Sequence, residues 1–316
     1  PSAPVGLEPG SVLSGRVGAG LDPCAALQTT IELGIGARSE VAVILGSCDN
    51  LTEAQRLIGA YRNADIGATF EGVKRGWAET LDIVQVSTPD RAFDIMLNRW
   101  LPYQTLSSRV LGRTGFYQAG GAYGFRDQLQ DTMAISTMQP KLARELILRS
   151  ASRQFLEGDV QHWWHPPSGR GVRTRISDDR LWLPYAVSHY LTLTGDAALL
   201  DEAVGFIEGP PLADGVEDSY YTPTTSALSA SLFEHGARAI DCSLAVGAHG
   251  LPLIGSGDWN DGMNRVGQHG KGESVWLAWF LHANLGEWAL LADARGEAAR
   301  AANWSAGLTR LPSRGR

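Results

Sequence analysis

The sequence predicts a mainly α-helical protein whose first fifty residues are β-like. Three observations predict it. From Thr88 onward, apolar residues recur at helical spacing in blocks of about 15 residues. No alternating run lies between these blocks, which excludes a βαβ sheet and leaves stacked helical hairpins. The connecting loops are long and rich in Gly, Trp, Asp and Arg, and loops of that kind carry function more often than they merely connect.

The elements follow in order. Thr30–Leu33 and Val41–Leu45 alternate or run apolar, with Gly34, Gly36 and Gly46 as punctuation, and read as strands. Thr52 reads as the cap of a helix from Glu53 to Arg62. Thr88-Pro89 opens a helix through Trp100, which Pro102 should kink or end. Leu142, Leu146, Ala151 and Phe155 share a stripe of a helix stopping at Gly158. Asp178 or Asp179 caps a segment from Leu181 to Thr194, with Gly195 after it. Leu228, Leu232, Ile240 and Leu244 mark a helix ending at Gly247, and Ser274 to Ala292 is the last clear one. Ser305 to Arg316 has no apolar period and reads as a frayed tail.

Composition narrows the function. At 316 residues, 44% hydrophobic and 19% charged, the chain is too apolar for disorder. A formal net charge of −7 argues against a nucleic-acid partner. No window is apolar enough to span a bilayer, and PSAPVGLEPGS has no basic region followed by an apolar core, so no signal peptide is expected there. Cys24, Cys48 and Cys242 are odd in number and widely spaced, which suggests reduced thiols in a cytoplasm-like compartment. Ten Trp and 37 Gly are high counts. Flat indole faces for sugar rings and glycine loops of close approach are what a carbohydrate cleft uses, although for any single Trp the core is the better assignment.

Three loops carry chemistry. In Gly115–Asp131 (GFYQAGGAYGFRDQLQD), carboxylates and amides suit sugar hydroxyls, and Arg126 could orient Asp127 by pairing with it. The alternative is a helix start capped by Asp127 with Arg126 on the surface. Its glycines are not a dinucleotide fingerprint. Gly158–Asp179 combines His162, Trp163, Trp164, His165, Arg170, Arg173, Arg175, Asp178 and Asp179. Two His three apart are poor metal ligands without a third, so no metal is expected. Arg173 and Arg175 could hold an anion, but spacing favours ion pairs with Asp178 and Asp179. In Gly255–Ser274 (GSGDWNDGMNRVGQHGKGES), Asp258 and Asp261 flank Trp259-Asn260. A carboxyl beside an indole in a dry cleft has its acid form favoured, as a general acid requires. A plain turn is the open alternative, and a Ca²⁺ loop lacks the spacing.

These loops resemble glycoside hydrolase family 94. Gly257-Asp-Trp-Asn-Asp-Gly-Met-Asn264, Gly270-Lys-Gly-Glu-Ser-Val-Trp276, Tyr123-Gly-Phe-Arg-Asp-Gln-Leu-Gln-Asp131, Gly158-Asp-Val-Gln-His-Trp-Trp-His-Pro-Pro167 and Gly171-Val-Arg-Thr-Arg175 carry the resemblance. Leu21–Ala26 is similar to a stretch of that family's β-sandwich. The family includes cellobiose and chitobiose phosphorylases, 1,2-β-oligoglucan phosphorylases and the phosphorylase-like domain of cyclic β-1,2-glucan synthase. The resemblance implies a mainly α chain: an incomplete (α/α)6 barrel (88–304) preceded by the end of a β-sandwich (1–50) and a helical linker (51–87), with a disordered tail (305–316).

The resemblance also implies a reaction: phosphate cleaves a β-glucosidic bond with inversion, giving α-glucose 1-phosphate. Asp261 matches the general acid, Trp259 and Asp127 match groups of the glucose subsite, and Arg113 matches a subsite arginine across a gap. Arg126, Asn260, Trp164, Arg173, Arg175 and Asp178 are the further expected substrate contacts. No cofactor is implied, only inorganic phosphate as co-substrate, because phosphate replaces the base-activated water of a hydrolase. Arg, His and backbone N–H groups would hold it, largely from family segments outside this chain. The expected partners are a β-glucan oligosaccharide and phosphate or glucose 1-phosphate, with a membrane-associated synthase or a homodimer as the larger assembly. The location would be cytoplasmic, or the cytoplasmic side of the inner membrane within a synthase.

Cellobiose-type members carry an arginine six residues before the Asp that matches Asp127. Here that position is Gly121, which favours the β-1,2-glucan branch. An inverting hydrolase, with Asp178 or Asp179 as base, and a non-catalytic glucan-binding module are the competing readings.

Overall fold

The computed structural model describes residues 6, 8–20, 24–112 and 120–310, and for Arg310 the backbone alone. Arg113, the stretch 115–119 of the first loop, Leu21–Pro23 and residues 311–316 lie outside the described residues. The chain divides into two compact units, 1–72 and 73–316.

The first unit holds α1 (Leu51–Arg62) and the start of α2 (Ile66–Leu81). Asn50, not Thr52, caps α1: its side chain accepts the Glu53 N–H at 2.9 Å, a contribution of about 1 kcal/mol. The expected strands at Thr30–Leu33 and Val41–Leu45 do not form. A β-like sequence becomes a strand only against a partner, and the described residues of this unit supply none.

In the second unit, α3 (Arg91–Ile95) is capped by Asp90 rather than Thr88, through the Ala92 and Phe93 N–H groups. It runs on through a π turn (Met96–Trp100), α4 (Leu101–Gln104) and a second π turn (Thr105–Leu111). Pro102 therefore neither ends nor breaks the helix. The wider π turn before it relieves the clash of its ring with the preceding turn.

Next come β1 (Tyr123–Gly124), α5 (Phe125–Ile135) and α6 (Pro140–Ala151). α6 stops at Ala151, not Gly158; Phe155 is buried beyond it, where its N–H bonds the Asp159 carbonyl at 2.8 Å. β2 (Gln161–His165) and β3 (Arg170–Thr174) form a hairpin where a plain loop was expected, and a 3₁₀ turn (Asp179–Leu181) leads into α7 (Trp182–Thr194), closed by Gly195 at φ +68°. β4 (Ala203–Glu208), β5 (Asp218–Tyr221) and β6 (Thr224–Ser231) precede α8 (Leu232–Asp241), so Leu228 belongs to a strand and Ser231 is the helix cap. α9 (Asn264–Gly267), α10 (Val275–Ala294, capped by Ser274) and α11 (Ala298–Arg310) follow. α11 takes in the residues up to 310 that read as a tail. Its many alanines hide an apolar stripe anchored by one fully buried residue, Trp304.

The sheets are antiparallel: β1-β2-β3-β5 in one, β4-β6 in the other. β2 and β5 carry adjacent aromatics and β6 is almost all Thr, Ser and Ala, so none of these alternates clearly in hydropathy and the sequence hid them. The core lies among α5, α6, α7, α8, α10 and α11, with α7 packed on α5, α6, α8 and α10. Trp288 sits at its centre, stacked on Phe233 at 5.5 Å, edge-on to Trp304 at 6.5 Å, its indole N–H on the Pro184 carbonyl at 3.0 Å. Among the described residues no helix is long and apolar enough to cross a membrane.

Candidate active site

Three segments meet at a pocket of about 260 Å³ walled by Ala122, Gly124, Arg126, Asp127, His162, Trp163 and Asp261. The first is the start of α5. Gly124 caps it, and a Cβ there would collide with the Asp127 carboxylate. Asp127 does not itself cap the helix; it projects into the pocket half exposed, 3.5 Å from Arg109 Nη2. Gly121 adopts φ +65°, a conformation that an arginine rarely takes.

The second segment is β2. Its pairing with β3 slips between Gln161 and Trp163, so one extra residue, His162, is accommodated. Such a bulge re-aims a side chain. Here it lets His162 and Trp163, neighbours in sequence, both wall the pocket. Trp164 then points the other way into the core, 1% exposed and edge-on to Tyr123 at 5.9 Å. The expectation that Trp164 contacts substrate is corrected: the indole at the pocket is Trp163.

The third segment is the loop carrying Asp258 and Asp261. Gly255, at φ +66°, passes so close to the Arg175 carbonyl that no Cβ fits. The Gly257 carbonyl accepts both the Ser177 N–H (2.9 Å) and hydroxyl (3.0 Å). Asp258 is buried: one oxygen accepts the Asn260 N–H at 2.9 Å, the other the Ser274 hydroxyl at 2.6 Å. It is the loop's anchor and does not reach the pocket. Trp259 stands 53% exposed on the same loop and is not part of the pocket wall.

Arg126 ties the three together. Its Nη1 donates to both Asp178 oxygens (3.2 and 3.3 Å) and to the Asp258 carbonyl (3.3 Å). Its Nη2 donates to both Asp261 oxygens at 2.9 and 3.1 Å. Arg126 therefore pairs with Asp178 and Asp261, not with Asp127, and is not a surface residue. Burial opposes its charge, but the carboxylates around it outweigh that and hold it protonated. The dry carboxyl expected at Asp261 is absent: its side chain is 52% exposed and ion-paired.

Asp178, fully buried beneath Arg126, also accepts the Trp182 indole N–H at 2.9 Å. Burial, then neighbouring Asp179, pushes its carboxyl up to about 6, against the pull of Arg126 and Trp182. Asp179 pairs with His162 Nδ1 at 2.7 Å. Burial works against a charged His162, yet Asp179 prevails and raises it above the ordinary histidine range. Asp178 contacts no open part of the pocket, so it supports Arg126 rather than substrate.

Arg173 and Arg175 do not pair with Asp178 or Asp179. Arg173 is 3% exposed, bonded to Asp159 twice at 2.7 Å and to Glu157 at 3.2 Å, with Phe155 beneath it at 3.9 Å. Arg175 donates to the carbonyls of Leu212, Ala213 and Val216. Strand geometry sends these arginines away from the pocket, toward a second cavity of about 1000 Å³. That cavity is lined by mixed charges with no Trp, Tyr or Phe, so it lacks a sugar-stacking face. His165 packs edge-on to Trp163 at 5.2 Å, and among the described residues no three His, Cys, Asp or Glu cluster as a metal site. Sequence reasoning placed His162 and Trp163 in a chemistry-bearing loop without assigning them a substrate contact, and left out Arg109; the bulge between Gln161 and Trp163 that brings both to the pocket has no local signal.

Comparison with known proteins fits this arrangement. Residues 76–310 match the model of the glycosyl hydrolase 94 superfamily catalytic domain, and residues 1–64 that of the glycosyl hydrolase 94 supersandwich domain. The chain is 48% identical, over 98% of its length, to the cyclic beta-(1,2)-glucan synthase NdvB of Rhizobium meliloti (strain 1021), covering 11% of that protein. It is 32% identical over 90% of its length to the solabiose phosphorylase of Paenibacillus borealis, covering 34% of it. Over 45% of its length it is 26% identical to the 1,2-beta-oligoglucan phosphorylase of Listeria innocua, covering 13% of it. The chain thus spans between about a tenth and a third of these relatives. With both family models matched in order and the pocket built from the segments that carry the resemblance, this chain belongs to the glycosyl hydrolase 94 superfamily.

Proposed function

We propose that this chain forms part of an inverting glycoside phosphorylase domain, a glycosyltransferase-class (EC 2.4.1) activity on β-linked, in particular β-1,2-linked, glucan, within an (α/α)6 barrel. The observation that carries the reading is the convergence of Asp261 and Asp127 on one pocket from two distant segments. In this reading Asp127 accepts hydroxyl hydrogens of the glucose being transferred. Asp261 protonates the glycosidic oxygen while phosphate attacks the anomeric carbon from the opposite face. The C–O bond breaks, the P–O–C bond forms, and α-glucose 1-phosphate leaves with a shortened chain. A carboxylate held by Arg126 is not yet an acid. Sugar entering the pocket displaces the Arg126 Nη2 contact and leaves the Asp261 carboxyl facing the glycosidic oxygen. No cofactor enters this scheme, only phosphate, bound by groups beyond this pocket. The relative named a cyclic beta-(1,2)-glucan synthase, together with Gly121, supports the β-1,2 linkage.

A hydrolase requires a second carboxylate to activate water. Asp178 and Asp179 are buried and committed to Arg126, Trp182 and His162, which disfavours it. The test is phosphate release from α-glucose 1-phosphate by the intact protein, with a β-1,2-linked glucose oligomer and, in parallel, cellobiose as acceptor. Release with the β-1,2 acceptor, lost in Asp261→Asn, is the expected result. Release with cellobiose alone would refute the linkage. Binding without release in either protein would leave a glucan-binding module.

A further inference from the structure

We infer that the outer face of the β2-β3-β5 sheet is a glucan-binding platform that takes up the sugar chain beyond the residue held in the pocket. The inference rests on the carbohydrate reading of that pocket. It concerns residues that reading does not use: His165, Arg170 and Tyr220, reached through Trp163.

The register builds the platform. Trp163 lies opposite Val172, Val172 opposite Tyr220, and His165 opposite Arg170. Directly opposed residues of antiparallel strands project from the same face. Val172 is buried at the centre of this row, with Trp163 and Tyr220 on either side. The other face carries Trp164, Arg173 and Tyr221 toward the interior.

The rings hold one another in place. Trp163 is 5.2 Å from His165 and 5.4 Å from Tyr220, His165 is 6.4 Å from Tyr220, and the Arg170 guanidinium lies over the Tyr220 ring at 4.5 Å. Their orientation is thus fixed before a ligand arrives, which lowers the entropic cost of binding. Tyr220 remains 45% exposed.

The occupant follows from chemistry and continuity. Trp163 belongs to both surfaces: it walls the pocket beside Asp127 and Asp261 and starts the aromatic row. A chain with its end in that pocket must leave it past a wall, and this wall offers flat apolar rings edged by hydrogen-bonding tips. Pyranose rings present axial C–H groups to such faces and equatorial hydroxyls to imidazole, phenol and guanidinium donors. A neutral gluco-oligosaccharide fits, because the cation of Arg170 is already placed over Tyr220.

The experiment is calorimetric titration of the intact protein carrying Asp261→Asn, so that binding is read without turnover. The probes are β-1,2-linked gluco-oligosaccharides from disaccharide to hexasaccharide. Affinity should rise with length. Tyr220→Ala should remove that gain, roughly tenfold for the hexasaccharide, while Tyr220→Phe keeps it and disaccharide affinity stays within about twofold. Equal affinity for all lengths, or an unchanged length dependence in Tyr220→Ala with native circular dichroism, would overturn the platform. Length-dependent binding by an intact wild-type protein that releases no phosphate would uphold the platform while removing the phosphorylase reading.

Discussion

Arg126 closes on Asp261 from across the pocket, with Nη2 within 3.1 Å of both carboxylate oxygens. Its Nη1 is sunk in an ion pair with fully buried Asp178. One end of the guanidinium is therefore structural and fixed, and the other is exposed to whatever enters the pocket. The two ends predict different consequences of mutation.

Arg126→Leu leaves Asp178 buried without its counter-charge, which costs about 3–5 kcal/mol. Adding Asp178→Asn retains an acceptor for the Trp182 indole and removes the stranded charge, so more than half of the loss should return. Urea unfolding of both variants measures this. Equal stability of the single and double variants would contradict it. Asp261→Asn, at a half-exposed side chain, should change stability by no more than about 0.5 kcal/mol.

The two adjacent indoles should separate sharply. Trp164 is in the core, so Trp164→Ala should cost about 3–5 kcal/mol. Trp163→Ala should cost well under half of that and act on sugar binding instead. Thermal unfolding alongside oligosaccharide titration distinguishes them, and similar destabilisation by both would show that the faces are misassigned.

Ser274 does two jobs: it caps α10 through the Leu277 N–H at 3.0 Å and holds buried Asp258 at 2.6 Å. Ser274→Ala should therefore cost about 2 kcal/mol, more than an ordinary cap. It should also raise hydrogen exchange in residues 256–262. Protection unchanged in that loop would mean that Asp258 is anchored without it.

His235 is fully buried, stacked on Phe206 at 4.0 Å with Nε2 on the Val204 carbonyl at 3.0 Å. Burial lowers it from 6.5 to about 4. Between those values the unfolded chain takes up a proton that the folded chain refuses, so stability falls as the pH drops, by about 3 kcal/mol across the window. His162 and Asp178 are raised and act in the opposite sense, losing stability as the pH rises through their folded values. Unfolding midpoints at pH 7 and pH 5 should show a smaller acid-side loss in His235→Phe than in wild type. An identical loss would assign the acid sensitivity elsewhere.

Local pattern made the long helices legible. α7, α8 and α10 have apolar spacing, α8 and α10 have serine caps and α7 has a terminal glycine, while neither Asp178 nor Asp179 caps α7 as expected; these signals depend on neighbours within a few positions. Motif content made the site segments legible in the same way: Asp127 and Asp261 were named from short stretches of chain and do meet at the pocket. α11 escaped because its only large apolar residues are Trp304 and Leu308 among small and polar ones, and the strands at 30–33 and 41–45 failed because nothing among the described residues pairs with them.

Residue types and their local order were thus enough to specify a helical protein with three chemistry-bearing loops, and the family resemblance singled out Asp127 and Asp261 within them. Tertiary structure alone decided that Arg126 serves Asp178 and Asp261 rather than Asp127, that Arg173 turns to Asp159, and that Trp163 rather than Trp164 walls the pocket. The physical reason is that ion-pair choice and strand facing depend on register. A bulge of one residue at His162 reverses which neighbour sees solvent, and the partner of a buried charge is whichever group the fold brings within about 3 Å, however far away it lies in the chain.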